Sequence, residues 1–229
     1  MIHQQHAQGI LTIENLLSVS ECQEYIWLSE GIGYEPALVS TDLGEQEHLE
    51  FRNNHRVIID SPQIAALLWD RVQTHLSPRI DEWIPASANE RVRFYRYDVG
   101  QQFAWHSDGY YANSDCEQSK LTYLTYLNED FRGGETCFRL RSASGEIELT
   151  RIVPRQGMAL IFPHHLVHQA RAVDAGTKYV LRTDIMCRRC SSELVEAKSQ
   201  KMRVQAVVVR RPETDSSDVG AGREADAED

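Results

Sequence analysis

The chain of 229 residues is predicted to be mainly β, a sandwich or jelly-roll barrel with flanking helices, on three observations. From Arg91 onward, short β-rich runs follow one another, punctuated by glycine turns such as Gly133-Gly134. The two clear helical patterns both lie before Pro78. The last long run alternates charged and apolar residues, with Lys178, Val180, Arg182 and Asp184 on one face and Tyr179, Leu181, Thr183 and Ile185 on the other. Short strands in series with turn signals mark such architectures.

Taken in order, Gly9-Ile10-Leu11-Thr12-Ile13 reads as a strand. Ser18-Val19-Ser20-Glu21 is a capping box, whose end residues satisfy each other's free amides. The helix behind it carries Cys22, Tyr25, Ile26 and Leu28 and stops near Gly31 and Gly33. Residues 40–54 have neither helical nor strand period and read as a long loop, the kind often reserved for function. Val57-Ile58-Ile59 is a strand. Ser61-Pro62 starts a second helix, with Ile64, Leu68, Val72 and Leu76 recurring every fourth position as a core stripe. Pro78 and Pro85 bracket a connection. Strands are expected over 91–98, 121–127, 136–140, 146–153, 157–162, 167–173 and 178–186. Residues 191–202 read as a helix and the rest as disordered. The expected division is 1–90 as a helical and strand region packing on the core, 91–190 as the barrel, and 191–229 as a C-terminal helix with an acidic tail.

Composition removes several classes. The start, Met1-Ile2-His3-Gln4-Gln5-His6, lacks the basic and apolar regions of a signal peptide. No apolar run approaches the ~18 residues of a membrane span, so a cytoplasmic location without membrane attachment is expected. The five cysteines (22, 116, 137, 187 and 190) are odd in number and scattered, unlike a secreted disulfide framework. Cys187 and Cys190 are half a zinc site and read as free thiols, since two sulfurs cannot fill four tetrahedral positions. A net charge of -10 repels phosphate backbones. Seven acids after Arg211 against Arg223 alone leave the folded part only mildly acidic. Nucleic acid is therefore a disfavoured partner, and oligomeric state is not indicated.

The stretch with chemistry runs from Tyr97 to Asp108 and ends in His106-Ser107-Asp108. Downstream, Phe162-Pro163-His164-His165-Leu166-Val167-His168 offers a third donor. Two imidazoles and one carboxylate on one face of a metal leave adjacent positions open, which suits non-haem Fe(II). Two apart on a strand, His106 and Asp108 project to one face and can chelate one ion. The residues alone leave His164, His165 and His168 all open as the third ligand. The charged face of 178–186 is expected to look into the barrel, where a buried cation needs an anionic partner.

Together these segments resemble the prolyl 4-hydroxylase-like branch of the 2-oxoglutarate/Fe(II)-dependent dioxygenases, over residues 91–188. The resemblance is carried by Tyr97-x-x-Gly100 and His106-x-Asp108. It continues in Tyr126-Leu127-Asn128 with Gly133-Gly134-Glu135-Thr136, in His168 with Lys178 ten residues on, and in residues 176–184. It implies a double-stranded β-helix (jelly-roll) core supported by N-terminal helices. It also implies that His106, Asp108 and His168 bind Fe(II), with His164 and His165 as bystanders near the mouth. Lys178 would pair with the far carboxylate of 2-oxoglutarate, helped by the Tyr97 hydroxyl, and Arg182 would share that role or touch substrate. O2 is the implied oxidant and ascorbate an accessory reductant. The implied reaction is C–H hydroxylation coupled to decarboxylation of 2-oxoglutarate to succinate and CO2. Halogenating relatives have a small residue at the Asp108 position, so hydroxylation is favoured. Trp105, Gly109-Tyr110-Tyr111, Asn53, Asn54 and Arg56 are read as entrance groups, and Asp184 as a neighbour of the site.

By analogy the substrate is a peptide or protein side chain, prolyl being nearest. The competing readings are the same chemistry on a free amino acid or small metabolite, or on a nucleobase, and a non-catalytic sensor that holds metal or 2-oxoglutarate. The basic residues of nucleobase readers do not line up, and the complete triad with Lys178 speaks for turnover.

Overall fold

The computed structural model describes residues 2–41, 44–46 and 48–189. The expected C-terminal helix and acidic tail, and Cys190, lie outside the described residues.

The chain opens with β1 (His3–Gln5), β2 (Leu11–Ile13) and α1 (Val19–Ile32). Short strands β3 (Glu35–Pro36), β4 (Val39–Thr41) and β5 (Gly44–Gln46) lead to β6 (His55–Asp60) and α2 (Pro62–Val72). Next come β7 (Trp83–Ala88), β8 (Arg91–Tyr97), β9 (Phe103–His106), β10 (Ala112–Ser114) and β11 (Glu117–Tyr126). The chain continues through β12 (Arg132–Gly133), β13 (Thr136–Arg141), β14 (Ile147–Ile152) and β15 (Ala159–Pro163). It closes with β16 (His168–Ala170), β17 (Val173–Ala175) and β18 (Lys178–Arg189).

Hydrogen bonding sorts these strands into a larger sheet, β1-β2-β15-β11-β18-β8-β6-β3, with β10 added to β11 and β7 to β18. A smaller sheet runs β14-β13-β16-β9. The pairs that build both sheets are antiparallel. Because strand side chains alternate faces, Tyr95, Tyr97, Tyr126, Leu160, Phe162 and Val180 of the larger sheet meet Phe138 and Leu140 of the smaller one. Residues from the opposite face, including Phe94, Tyr123, Ile161, Leu181 and Ile185, pack on Cys22 of α1 and on Leu68 and Val72 of α2. Fully burying one such aliphatic side chain contributes about 1.5–3 kcal/mol. This is a jelly roll backed by two helices, and β1, β2, β3 and β6 make the first ninety residues part of its sheet as well.

Both helix starts follow their local chemistry. Ser18 Oγ accepts the Glu21 amide at 3.3 Å, and Glu21 Oε2 accepts the Ser18 amide at 2.8 Å. Glu21 also pairs with Arg71 of α2, whose Nη1 lies 3.0 Å from Oε2 and whose Nη2 meets Oε1. Ser61 Oγ accepts the Ile64 amide, and Pro62 occupies the first turn.

Five expectations need correcting. The stretch over 40–54, read as a loop without strand period, contains β5 and the end of β4, which pair antiparallel. The inward face of α1 is Cys22, Tyr25, Ile26 and Ser29, the i, i+3, i+4, i+7 set. Ser29 is fully buried and donates to the Ile26 carbonyl, while Leu28 is 42% exposed. Leu76 lies beyond α2, after a short 3₁₀ turn over Gln73–His75. The connection around Pro85 is strand β7, tolerated because β7 is an edge strand and Pro85 faces a register shift in β18. The single strand expected over 167–173 is two, β16 in the smaller sheet and β17 paired with β12.

Candidate active site

The smaller sheet brings two histidines together. β9 and β16 are antiparallel neighbours, with His106 directly opposite His168. Directly opposed residues share a face, and the two ring centroids lie 4.2 Å apart. Each Nδ1 sits against a main-chain carbonyl two residues earlier, His106 against Ala104 at 2.7 Å and His168 against Leu166 at 2.9 Å. A carbonyl only accepts, so each Nδ1 carries the proton and each Nε2 is left as a lone-pair donor. Phe103 stacks on the His106 ring at 3.5 Å, and Phe162 meets His168 edge-on at 4.6 Å, which restricts rotation of both imidazoles. Burial, with His168 alongside, pulls His106 down to about 3 and lowers His168 too, keeping both rings neutral as metal binding requires.

Asp108 completes the cluster. Its carboxylate oxygens lie 3.8 Å from His106 Nε2 and 3.6 Å from His168 Nε2, and the three donor atoms fall within 4.8 Å of one another. The sequence reading put His106 and Asp108 on one strand face. In fact β9 ends at His106, and Asp108 sits in the following turn with its amide donating to the His164 carbonyl at 2.9 Å. Burial opposes ionisation of Asp108, but Arg182, with Nη1 2.9 Å from Oδ1, and the adjacent imidazoles hold the carboxyl well below the usual range. Two neutral imidazoles and a carboxylate, with no thiolate, fit the donor set of a non-haem Fe(II) centre.

A hydrogen-bond chain fixes the second Asp108 oxygen. Thr122 Oγ1 donates to Oδ2 at 2.5 Å and also lies 2.8 Å from His164 Nδ1. The single Thr122 proton is spent on the carboxylate, so His164 Nδ1 is the donor in the second contact. His164 Nε2 is then free to accept from Ser119 Oγ at 2.9 Å, and Ser119 in turn accepts the Tyr111 amide. His164 is therefore buried and tied to Asp108, whereas His165 is exposed.

Lys178 shares a cavity with the three donors, together with Tyr97, Thr136 and Arg182. It lies opposite Tyr97 across the β8–β18 pairing, with Nζ 5.2 Å from the Tyr97 ring centroid. Nζ donates to the Gly134 carbonyl at 2.6 Å, and no carboxylate comes within ion-pair distance of it among the described residues. Burial pushes this ammonium down to about 7. The turn that meets it demands glycine: Gly133 has φ +76°, and a Cβ there would lie 2.5 Å from the Ala172 carbonyl oxygen. Tyr126, opposite Thr136 through a 2.7 Å hydroxyl contact, closes the same region, and burial raises the phenols of both Tyr97 and Tyr126.

The other expected groups are spread over two places. Arg182 bridges Asp108 and Asp184 and does not touch Lys178, and Asp184 also receives Arg93 at 3.3 Å. Arg56, Tyr110, Tyr111 and Asp184 line an outer cavity that reaches His106 and Asp108. Trp105 does not line it; it points off the far face of β9, under the Arg139 guanidinium at 4.1 Å. Asn53 and Asn54 act as braces: Asn53 Oδ1 accepts the Gln102 amide and Asn54 Oδ1 accepts Arg52 Nε. The sequence reading missed Thr122, Phe103, Tyr95 and Arg52. Thr122 was recoverable, since alternation along β11 puts it on the same face as Leu124 and Tyr126.

A sequence model described as the 2OG-Fe(II) oxygenase superfamily matches residues 92–183. A probable prolyl 4-hydroxylase 11 of Arabidopsis thaliana is 32% identical over 95 residues, covering 41% of this chain and 32% of that protein. A probable prolyl 4-hydroxylase 6 of the same plant is 26% identical over 131 residues, covering 55% of this chain and 43% of that one. The chain thus spans less than half the length of these curated relatives. Among solved structures, a Trichoplax adhaerens prolyl hydroxylase in complex with a peptide fragment of hypoxia inducible factor superposes with TM-score 0.60 at 15% identity, covering 78% of this chain and 84% of that one. A Pseudomonas putida prolyl-4-hydroxylase gives TM-score 0.57 at 16% identity, covering 81% and 95%. At these identities the structural likeness speaks for the fold.

Proposed function

We propose that the chain is a 2OG-Fe(II) oxygenase that hydroxylates a C–H bond of a peptide or protein side chain, coupled to decarboxylation of 2-oxoglutarate to succinate and CO2; the match of residues 92–183 to that superfamily's model and the likeness to probable prolyl 4-hydroxylases support this. One observation supports this above the rest: a single cavity is lined by the His106–Asp108–His168 donors and by the buried ammonium of Lys178. A dicarboxylate that reaches from one to the other would satisfy both.

In this reading His106 and His168 hold Fe(II) through Nε2 and Asp108 through its carboxylate. The bound metal supplies the redox chemistry that joins O2, 2-oxoglutarate and the C–H bond. The chain's own work is positioning. The Ala104 and Leu166 carbonyls fix the imidazole tautomers, and Thr122 and Arg182 fix the two Asp108 oxygens. Such partners of ligand side chains commonly tune metal affinity. Lys178 receives the distal carboxylate of 2-oxoglutarate, with Tyr97 and Thr136 beside it and the apolar Phe103, Leu124 and Val180 in the same cavity walls. Ascorbate serves as the accessory reductant.

Purified protein with Fe(II) should release succinate from 2-oxoglutarate and add one oxygen to proline-containing peptides, read by mass spectrometry. His106→Ala should abolish both products. Lys178→Ala, which removes a charge-assisted contact of about 1.5–3 kcal/mol, should raise the KM for 2-oxoglutarate roughly 10- to 150-fold. Succinate release that survives His106→Ala would overturn the ligand assignment.

A further inference from the structure

The outer cavity, about 780 Å³, opens over His106 and Asp108, and among the described residues its lining is richer in arginine than in acids. Among the described residues, Arg52, Arg56, Arg91, Arg93 and Arg182 line it, with Asp108 and Asp184 as the acids, while the protein as a whole carries a net charge of -10. Arg182 sits on Asp108, and Asp184 is shared by Arg182 and Arg93. Arg52 differs from all of these. Only 7% of it is exposed, Nε is held by Asn54 at 2.9 Å, and Nη2 has no hydrogen-bond partner among the described residues. Its guanidinium lies 4.9 Å from the Tyr95 ring and 4.5 Å from the Phe103 ring, and Phe103 is the residue stacked on His106.

A buried guanidinium with an unmet donor is costly, and two aromatic faces offset part of this, about 2 kcal/mol each when desolvated. The cation fields converge on Tyr95 as well: burial opposes ionisation of its phenol, yet Arg182, Arg52 and Arg93 together pull it below its ordinary value.

We propose that Arg52, with Arg93 at the rim, receives a carboxylate of the substrate, so that the enzyme selects a residue flanked by an acidic group. The assignment rests on the hydroxylase reading above and names the substrate class for that site. Arginine forks match carboxylates, and a monoanion is favoured over a phosphate dianion because Asp108 and Asp184 stand in the same walls. The carboxylate has two sources, an acidic side chain beside the target or the main-chain carboxylate of a C-terminal target.

The test uses the full chain and fluorescein-labelled peptides followed by anisotropy: Gly-Asp-Pro-Asp-Gly amide, its Asn-for-Asp counterpart, and Gly-Asn-Pro as the free acid. One of the two carboxylate peptides should bind at least about tenfold more tightly than the neutral amide, the worth of one charged contact, and which one does identifies the source. The preference should fade as salt rises from about 50 to 500 mM, shrink to about twofold or less in Arg52→Met, and weaken in Arg93→Gln. Circular dichroism checks folding; should Arg52→Met not fold, the salt dependence of the wild type and the Arg93→Gln result decide. Equal binding of all three peptides, or a preference untouched by both substitutions, overturns the proposal. Mass spectrometry of the same peptides reads the hydroxylase reading separately. Charge-selective binding with no oxygen added keeps the carboxylate site and sinks the hydroxylase reading, whereas equal hydroxylation and binding of neutral and acidic peptides does the reverse.

Discussion

Lys178 is the residue whose environment does most to define the site. Burial holds its ammonium down to about 7, so at pH 8 the side chain is mostly neutral. A carboxylate beside it favours the charged form, and binding must then draw in a proton. Affinity for 2-oxoglutarate should consequently fall up to about tenfold per pH unit above pH ~7.5, and calorimetry in two buffers of different ionisation enthalpy should register the uptake. No proton uptake at pH 8 would mean that Lys178 does not meet the carboxylate. The residues alone left His164, His165 and His168 open, and it was the family resemblance, through its ten-residue step to Lys178, that singled out His168 and Lys178. Arg52 was not legible, because its partners Tyr95, Phe103 and Asn54 come from separate segments and the stretch around it has no period to read. His164 fell between these cases: its neighbourhood stood out as a cluster, but only the fold shows Thr122 linking it to Asp108.

At the level of elements, capping and alternation were readable and strand boundaries at corners were not. The capping box of α1 and the Ser61-Pro62 start of α2 announce themselves within four residues. The division of residues 167–175 into β16 and β17 depends on which sheet each half joins, a long-range fact that no local pattern holds. β7 was hidden because Pro85 reads as a break unless the strand is known to be at an edge. The two helices are joined by a contact with a definite pH signature. Arg71 holds the Glu21 carboxyl down to about 2 from an ordinary 4.5. The folded value is the lower one, so the stabilisation is present above pH 4.5 and lost as pH falls toward 2. Arg71→Met should lower stability by about 0.5–1 kcal/mol at pH 7, since solvent screens the pair, and the gap in melting temperature should narrow as pH drops to 3. A gap that stays constant would assign the effect to packing alone.

Across the whole molecule, the jelly roll backed by helices was foreseen from strand series and turn chemistry, and the two faces of β18 divide as alternation predicts: Leu181 and Ile185 against the helices, Lys178 and Arg182 into the cavity. What the sequence could not convey was that the first ninety residues supply strands to the larger sheet, because pairing of β2 with β15 and of β6 with β8 spans long separations. The direct opposition of His106 and His168 has one more consequence. The ligands are held by pairing between strands and not by the peptide that runs between them, and the β13–β14 turn on that peptide is exposed at Ser144 and Gly145. Severing the backbone there would split the site into complementary halves, one bearing His106 and Asp108 and the other His168 and Lys178. Co-expressed as separate polypeptides, residues 1–144 and 145–229 should reassociate through β15 and β18 and regain succinate release, while neither fragment alone shows it.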